Sequence, residues 1–217
     1  MVPSNLCSIC QKQKAKRACP GTGGSICPQC CGTEREVSIR CPSECSYLRD
    51  SRRYEREKPT RLDKLPFEDV AVPDSFLYEH ERFVGQIGFV ILKHAVENPE
   101  VTDPAIIDAL DKLVRTYQTE ASGIYYESMP EEHIAIGVFR VVKNFLDELQ
   151  KKAQEGGGIT PMKNDDIIRS IVFLLRLAMV NSNQRPLGRY FIDFLQQMFP
   201  EAVKPSEKSS GVIIPGR

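Results

Sequence analysis

The stretch CSICQKQKAKRACPGTGGSICPQCCGTEREVSIRCPSEC, residues 7–45, holds all eight cysteines of this 217-residue chain. Two Cys-x2-Cys pairs stand out in it. Such a pair places two thiolates on one tight turn, at a separation that suits adjacent corners of a zinc tetrahedron. Eight thiolates suffice for two closed sites, so the stretch predicts a finger that holds two structural zinc ions. The predicted metal ligands are Cys7, Cys10, Cys19, Cys27, Cys30, Cys31, Cys41 and Cys45.

The division of these ligands between two ions depends on Cys30 and Cys31. Side chains of neighbouring residues tend to diverge, which favours different ions for these two cysteines. Spacing alone leaves other pairings open. The favoured arrangement is interleaved, with Cys7, Cys10, Cys27 and Cys30 on one ion and Cys19, Cys31, Cys41 and Cys45 on the other.

A disulfide framework is the alternative use of clustered cysteines. Disulfides belong to oxidising compartments, and the start of this sequence has no basic region followed by an apolar stretch that would direct export. No apolar run is long enough to span a membrane. We therefore expect a cytoplasmic, zinc-loaded protein with no membrane segment. Residues 1–45 contain no histidine, and four thiolates leave no open position on a zinc ion, so the metal is predicted to be structural.

Charge is unevenly distributed along the chain. Residues 1–62 carry 12 Lys and Arg against 6 Asp and Glu, whereas residues 63–217 carry 17 against 23. One interpretation is a phosphate-binding surface that runs along a helix from about Pro42 to Glu57. The alternatives are a solvated face or a face docked on the acidic remainder of the chain. The candidate nucleic-acid-binding residues are Lys12, Lys14, Lys16 and Arg17 between the cysteine pairs, and Arg49, Arg52, Arg53 and Arg56 on one helical stripe.

Beyond Pro73 the apolar residues recur at three- and four-residue steps, which is typical of amphipathic helices. The predicted fold is mainly α: a small N-terminal two-zinc finger followed by an all-α bundle of about five helices. Helices are expected at about 74–98, 102–123, 130–155, 164–180 and 186–199. The third is predicted to open with a capping box from Ser128 to Glu131, and the fourth is apolar on nearly every face, which is typical of a helix at the centre of a bundle. The predicted divisions are a finger with its helix at 1–57, a linker at 58–73, the bundle at 74–199 and a disordered tail at 200–217.

Catalytic patterns are not visible in the sequence. The three histidines form neither Glu-x-x-His nor His-x-x-x-His, the spacings that build a metal site between helices. A closed zinc finger contributes a rigid surface, and a helical bundle contributes grooves for a partner. We therefore predict an adaptor or interaction protein that recognises a protein partner and is not an enzyme, with nucleic-acid binding as the alternative. An enzyme with its site in the helical body is the second rival, and a polar pocket with several converging ionisable groups would favour it.

The cysteine pattern carries a family resemblance. Pairs of the Cys7/Cys10 kind, closed by Cys41 and Cys45, resemble the compact two-zinc fingers of the HIT and MYND type, which are interaction modules but include a histidine. The phrases CPQCCG at 27–32 and CPSEC at 41–45 resemble an uncharacterised bacterial family of two-zinc, cysteine-rich fingers. The resemblance covers the finger alone, and it implies a zinc-dependent interaction module without a known activity.

Overall fold

The structure, a computed structural model, describes residues 5–56, 64–123, 125–155 and 161–203. In these residues the fold is mainly helical, as the sequence predicted, and the strands are confined to one short hairpin. The hairpin strands are β1 (Arg17–Cys19) and β2 (Gly24–Ile26). The helices are α1 (Pro28–Glu34), α2 (Ser46–Arg56), α3 (Asp74–Glu97), α4 (Asp103–Ala121), α5 (His133–Gln154), α6 (Asn164–Val180) and α7 (Tyr190–Met198), and a 3-10 turn follows at Pro200–Val203.

The finger is built from the hairpin, α1 and α2. β1 and β2 pair antiparallel, with Arg17 opposite Ile26, and Gly23 turns the chain between them at a φ of 68°. Positive φ is the region that glycine occupies without steric cost. Ile26 and Ile39 are buried together with the cysteines in a small core. That core is too small to fold without additional cross-links, which is where bound metal would contribute.

The body is a bundle whose centre is α4. This helix packs against α5 and α6, while α3 packs against α5, α6 and α7. Ile106, Leu110 and Leu113 on α4 have no exposed surface, and neither do Ile171 and Val172 on α6. The nearly continuous apolar surface of α6 therefore lies in the interior, as its composition indicated. No helix in the described part of the chain is both long and apolar enough to cross a membrane.

The helix count differs from the prediction. The described residues contain seven α-helices, more than the five expected for the bundle. Two of the seven lie in the finger, and the one that the sequence analysis missed is the short α1. Pro28 occupies its first turn, where the missing N–H of proline costs nothing, and Cys27 caps it.

Three predicted helix starts are also wrong, one of them that of α7, which begins at Tyr190 and not at residue 186. The helix expected from Pro42 begins at Ser46, because Pro42–Cys45 forms a separate turn closed by the Cys45 N–H to the Pro42 carbonyl at 3.0 Å. Cys45 therefore precedes the helix instead of lying in its first turn. The predicted capping box at Ser128 is not formed: α5 begins at His133, and the Ser128 N–H instead donates to the Thr116 hydroxyl at 3.0 Å.

The segment before α3 is held by one arginine. The guanidinium of Arg176 on α6 donates to the carbonyls of Pro66, Phe67 and Val70 at 3.2, 2.6 and 3.0 Å. Phe67 and Val70 pack against the bundle core. This part of the predicted linker thus lies on the body. Residues 58–63, the rest of that linker, lie outside the described residues, as do residue 57 at the end of the predicted finger and residues 204–217 of the predicted tail.

Candidate metal centre

Four cysteines come together at one end of the finger. The sulfur atoms of Cys7, Cys10, Cys27 and Cys30 all lie within 4.8 Å of one another. Tetrahedral zinc with Zn–S bonds of about 2.3 Å requires sulfur atoms about 3.8 Å apart, so small side-chain adjustments would place all four around one ion. These are the four cysteines that the sequence analysis favoured for one site.

Each pair in this cluster sits on a tight turn. In the first turn the Cys7 carbonyl accepts the Gln11 N–H at 2.9 Å, and Gln11 has a positive φ of 53°. In the second, the Cys27 sulfur accepts the Cys30 N–H at 3.3 Å and caps α1. Backbone N–H groups that point at sulfur stabilise the thiolate form, which is the form that binds metal.

The close packing of the cluster shifts the pKa values of Cys7 and Cys30 in opposite directions. Burial alone would raise the pKa of Cys7, but hydrogen bonds from the backbone N–H groups of Cys10, Cys27 and Ile9 lower that pKa to about 6. Hydrogen bonding to Cys27, burial and the proximity of Cys10 raise the pKa of Cys30 to about 12. Several thiolates cannot be held this close without a compensating charge, and a divalent cation supplies it.

The other four cysteines do not form a comparably close group among the described residues. Cys19, Cys31, Cys41 and Cys45 nevertheless line one cavity of about 10 Å³ between the hairpin, α1 and the start of α2. A space of this size holds about one water molecule. Gly21 allows the hairpin turn to approach the chain next to this cavity, because it has no Cβ. A Cβ at this position would lie 2.7 Å from the Ile39 side chain and 2.8 Å from the Arg40 carbonyl oxygen.

Charged groups surround this second set of cysteines. The Arg35 guanidinium donates to the Cys31 sulfur at 3.7 Å. Burial would raise the pKa of Cys31, but hydrogen bonds from Arg17 and Arg35 outweigh it and lower that pKa. Burial raises the pKa of Cys41, and the nearby Cys45 and Cys19 raise it further.

The comparisons with known proteins give no identity. No family model, curated protein or solved structure matches this chain. The likeness to two-zinc fingers therefore depends on cysteine spacing and on the cluster of four sulfur atoms, which is consistent with a cysteine-rich zinc finger.

The predicted basic surface is divided by the fold. Lys12, Lys14 and Lys16 are exposed, and the Arg17 guanidinium lies 4.4 Å from the ring centroid of Tyr47. On α2, Arg49 and Arg53 are exposed, whereas Arg52 is buried at 5% exposure. The side chain of Arg56 lies outside the described part of the structure.

Arg52 belongs to a buried contact between the finger and the body. Its guanidinium donates to the Glu36 carboxylate at 2.6 Å and pairs with Asp193 on α7. Glu36 is 2% exposed and also accepts the side-chain N–H of Asn183 at 2.7 Å. The Leu187 N–H donates to the Glu36 carbonyl at 2.8 Å.

Sequence reasoning missed Glu36, Asn183 and Asp193. Glu36 is one charged residue among several between Cys31 and Cys41, and Asn183 lies in a polar run that indicates only a loop. No local pattern links residues so far apart in the chain. The sequence signal near this contact was the predicted stripe of arginines. One of its alternative interpretations was a face docked on the acidic remainder of the chain.

The body carries an apolar groove of about 870 Å³ between α3, α6 and α7. The Phe199 ring packs over Gly85 and Gly88 on α3, where added Cβ atoms would lie at ordinary contact distances of 3.9 and 3.5 Å from the ring. Charged side chains at Glu81, Arg82 and Glu201 also line the groove. The aromatic lining consists of Phe89, Phe145, Phe173, Phe194 and Phe199.

Proposed function

We propose that this chain is a zinc-binding interaction protein whose metal ions are structural. The single observation that carries the proposal is the cluster of Cys7, Cys10, Cys27 and Cys30, with all four sulfur atoms within 4.8 Å of one another. A zinc ion with four thiolate ligands has no open position for water or substrate, so its contribution is to the fold. For a finger with so small a core, metal binding would supply most of the folding free energy.

A second zinc ion at Cys19, Cys31, Cys41 and Cys45 is part of the proposal. Its support is the common cavity that these four side chains line, together with the close approach of the Gly21 turn to Arg40, next to Cys41. Four soft thiolate donors suit zinc better than magnesium or calcium.

Single-cysteine variants test both sites. We expect two zinc ions per native chain, and one each in Cys10→Ser and Cys41→Ser, because each variant removes a ligand of a different site. Zinc would be counted by elemental analysis of protein purified under reducing, chelator-free conditions. If the native chain returned one ion and Cys41→Ser kept it, the second site would be wrong and the first would stand. If native protein held no zinc, both would be wrong.

Recognition of a protein partner is the proposed role of the folded chain. Its support is the apolar groove on the body, whose aromatic lining suits the apolar side chains of a partner segment. Contiguous apolar surface of this kind is a common feature of interaction sites. The test is a pull-down from native lysate with the zinc-loaded protein, with Leu177→Glu in the groove as the variant that should lose the partner and Tyr78→Glu, at an exposed position beside it, as the control. Equal capture by both variants would contradict the groove.

Nucleic-acid binding is the alternative proposal. Its support is the exposure of Lys12, Lys14, Lys16, Arg49 and Arg53 on the finger. Phosphate binding by this surface would give an affinity that falls steeply with salt. Absence of binding at low salt would remove this alternative.

A further inference from the structure

The finger contacts the body through a loop that lies between two of the proposed metal ligands. Residues 35–39 form a tight turn in which the Glu36 N–H donates to the Ile39 carbonyl at 3.1 Å. Glu36 has a φ of 54°, a left-handed conformation that a glutamate adopts only when its surroundings hold it there. Cys31 precedes this turn and Cys41 follows it.

The body presents a preformed polar socket to Glu36. The socket consists of residues 183–189, between α6 and α7. A Cβ at Gly188 would lie 2.5 Å from the Asn183 side-chain oxygen, so a glycine is needed for Asn183 to take its place. The Asn183 oxygen accepts the Arg185 N–H at 3.2 Å, which leaves the Asn183 amide free to donate to Glu36.

The second half of the contact comes from α2. Arg52 on this helix lies between Glu36 and Asp193. The loop makes one further contact with the body, since the Arg185 guanidinium donates to the Arg35 carbonyl at 2.6 Å. Cys45, another proposed ligand, directly precedes α2. Both parts of the finger that meet the body are thus attached to cysteines of the second set, whereas no residue of the first set lies between Cys31 and Arg52.

A buried carboxylate is stable only while its partners remain in place. Glu36 and Arg52 can meet Asn183 and Asp193 only if the loop and the start of α2 hold their relative positions. An ion shared by Cys31, Cys41 and Cys45 would fix those positions directly. Without it, the four thiol groups add no link between the loop and the helix, and the Glu36–Arg52 ion pair is left to join the two.

We infer that metal binding at the second site and docking of the finger on the helical body are one coupled event, with Glu36 and Arg52 as the connecting residues. This inference depends on the proposed second zinc site. Loss of that ion releases the loop and undocks the finger, while the first site keeps its metal. Coupling is reciprocal, so residues of the body that touch no metal ligand should tune zinc affinity at the second site.

The test uses the full-length, zinc-loaded chain and competition with a chromophoric zinc chelator. Asn183→Ala removes the hydrogen bond to Glu36, and Asp193→Asn removes the ion pair with Arg52. Asp147→Asn is the matched control, because Asp147 is an exposed carboxylate on α5 that pairs with Lys143 of the same helix. The ion that Cys41→Ser lacks identifies the second site in the titration.

We expect Asn183→Ala and Asp193→Asn to weaken zinc binding at the second site on the order of tenfold, with the first site and the control unchanged. A second measurement on native protein does not depend on how the variants fold. Hydrogen exchange of the Leu187 and Arg189 amides, which face Glu36, should accelerate when the chelator has removed the second-site ion, while that of Leu113 in the core should not.

The outcomes separate this inference from the proposed function. Two ions with unchanged second-site affinity in both variants and unchanged exchange at Leu187 and Arg189 would overturn the coupling and leave the two-zinc finger intact. One ion in the native chain would overturn the second site and the coupling together. Two ions with a selective effect on the second site would support both.

Discussion

At the residue scale, Arg52 shows that a helical pattern does not indicate which of its residues becomes buried. The sequence predicts four equivalent arginines on one helical face, because their spacing matches the helical repeat. They are Arg49, Arg52, Arg53 and Arg56. The structure buries Arg52 between Glu36 and Asp193 and leaves Arg49 and Arg53 exposed. Helical spacing places residues on a common face, but it does not indicate which of them a distant part of the chain will cover.

Replacement of Arg52 by glutamine should therefore be far more costly than the same change at its neighbours. Arg52→Gln leaves two carboxylates, at Glu36 and Asp193, without their cation, and removal of one member of a buried pair costs about 3–5 kcal/mol. Arg49→Gln and Arg53→Gln should each change stability by less than about 0.5 kcal/mol. Equilibrium denaturation of the zinc-loaded proteins measures all three. Similar losses in the three variants would contradict the buried contact.

At the element scale, one carboxylate joins two helices. Asp103 begins α4 and is fully buried. Its oxygens accept the N–H groups of Phe191 and Ile192 in the first turn of α7, at 2.9 and 3.3 Å. Burial raises the pKa of Asp103 to about 6, even though these backbone hydrogen bonds act in the opposite direction.

Because the pKa of Asp103 is higher in the folded chain than in the unfolded chain, its contribution to the free energy of unfolding changes with pH. The folded chain holds a proton on Asp103 up to about pH 6, whereas the unfolded chain loses it near pH 3.9. The stabilisation is therefore present in acid and is lost as the pH rises.

We expect the stability of the native protein, relative to Asp103→Asn, to fall by about 1 kcal/mol between about pH 5 and about pH 7. Use of the difference between the two proteins cancels the titration of the cysteines, which both contain. Chemical denaturation at several pH values provides the measurement. A difference that stayed constant or grew with pH would mean that the folded state does not raise the Asp103 pKa.

The helices of the body could be predicted because their buried faces repeat along the sequence. The α3 helix, expected at 74–98, is found at Asp74–Glu97, and α6 ends at Val180 as expected. The start of α7 could not be predicted in the same way. Residues 186–189 lie in a turn before Tyr190, in which the Gly188 N–H donates to the Arg185 carbonyl at 2.9 Å and the Leu187 N–H donates to the Glu36 carbonyl, 151 positions earlier in the chain. Tertiary contacts of this kind override local helical preference.

At the scale of the whole molecule, the first cluster of cysteines could be predicted from the sequence, whereas the second set could not be brought together in the same way. The first cluster follows from two Cys-x2-Cys turns, which are local structures that spacing determines. The second set draws Cys19 from the hairpin, Cys31 from α1 and the remaining two from the turn before α2, and its common cavity depends on how these elements pack. Contacts of Glu36 and Arg52 with the body join residues more than a hundred positions apart, for which the sequence contains no signal.

X-ray absorption at the zinc edge of the native, zinc-loaded chain tests the central claim most directly, because it reports the atoms bound to the metal. Two closed thiolate sites predict a first shell of about four sulfur atoms at about 2.3 Å, with no nitrogen or oxygen ligand. A substantial contribution from nitrogen or oxygen atoms at about 2.0–2.1 Å would contradict the account, since it would mean that some of the eight cysteines do not bind zinc.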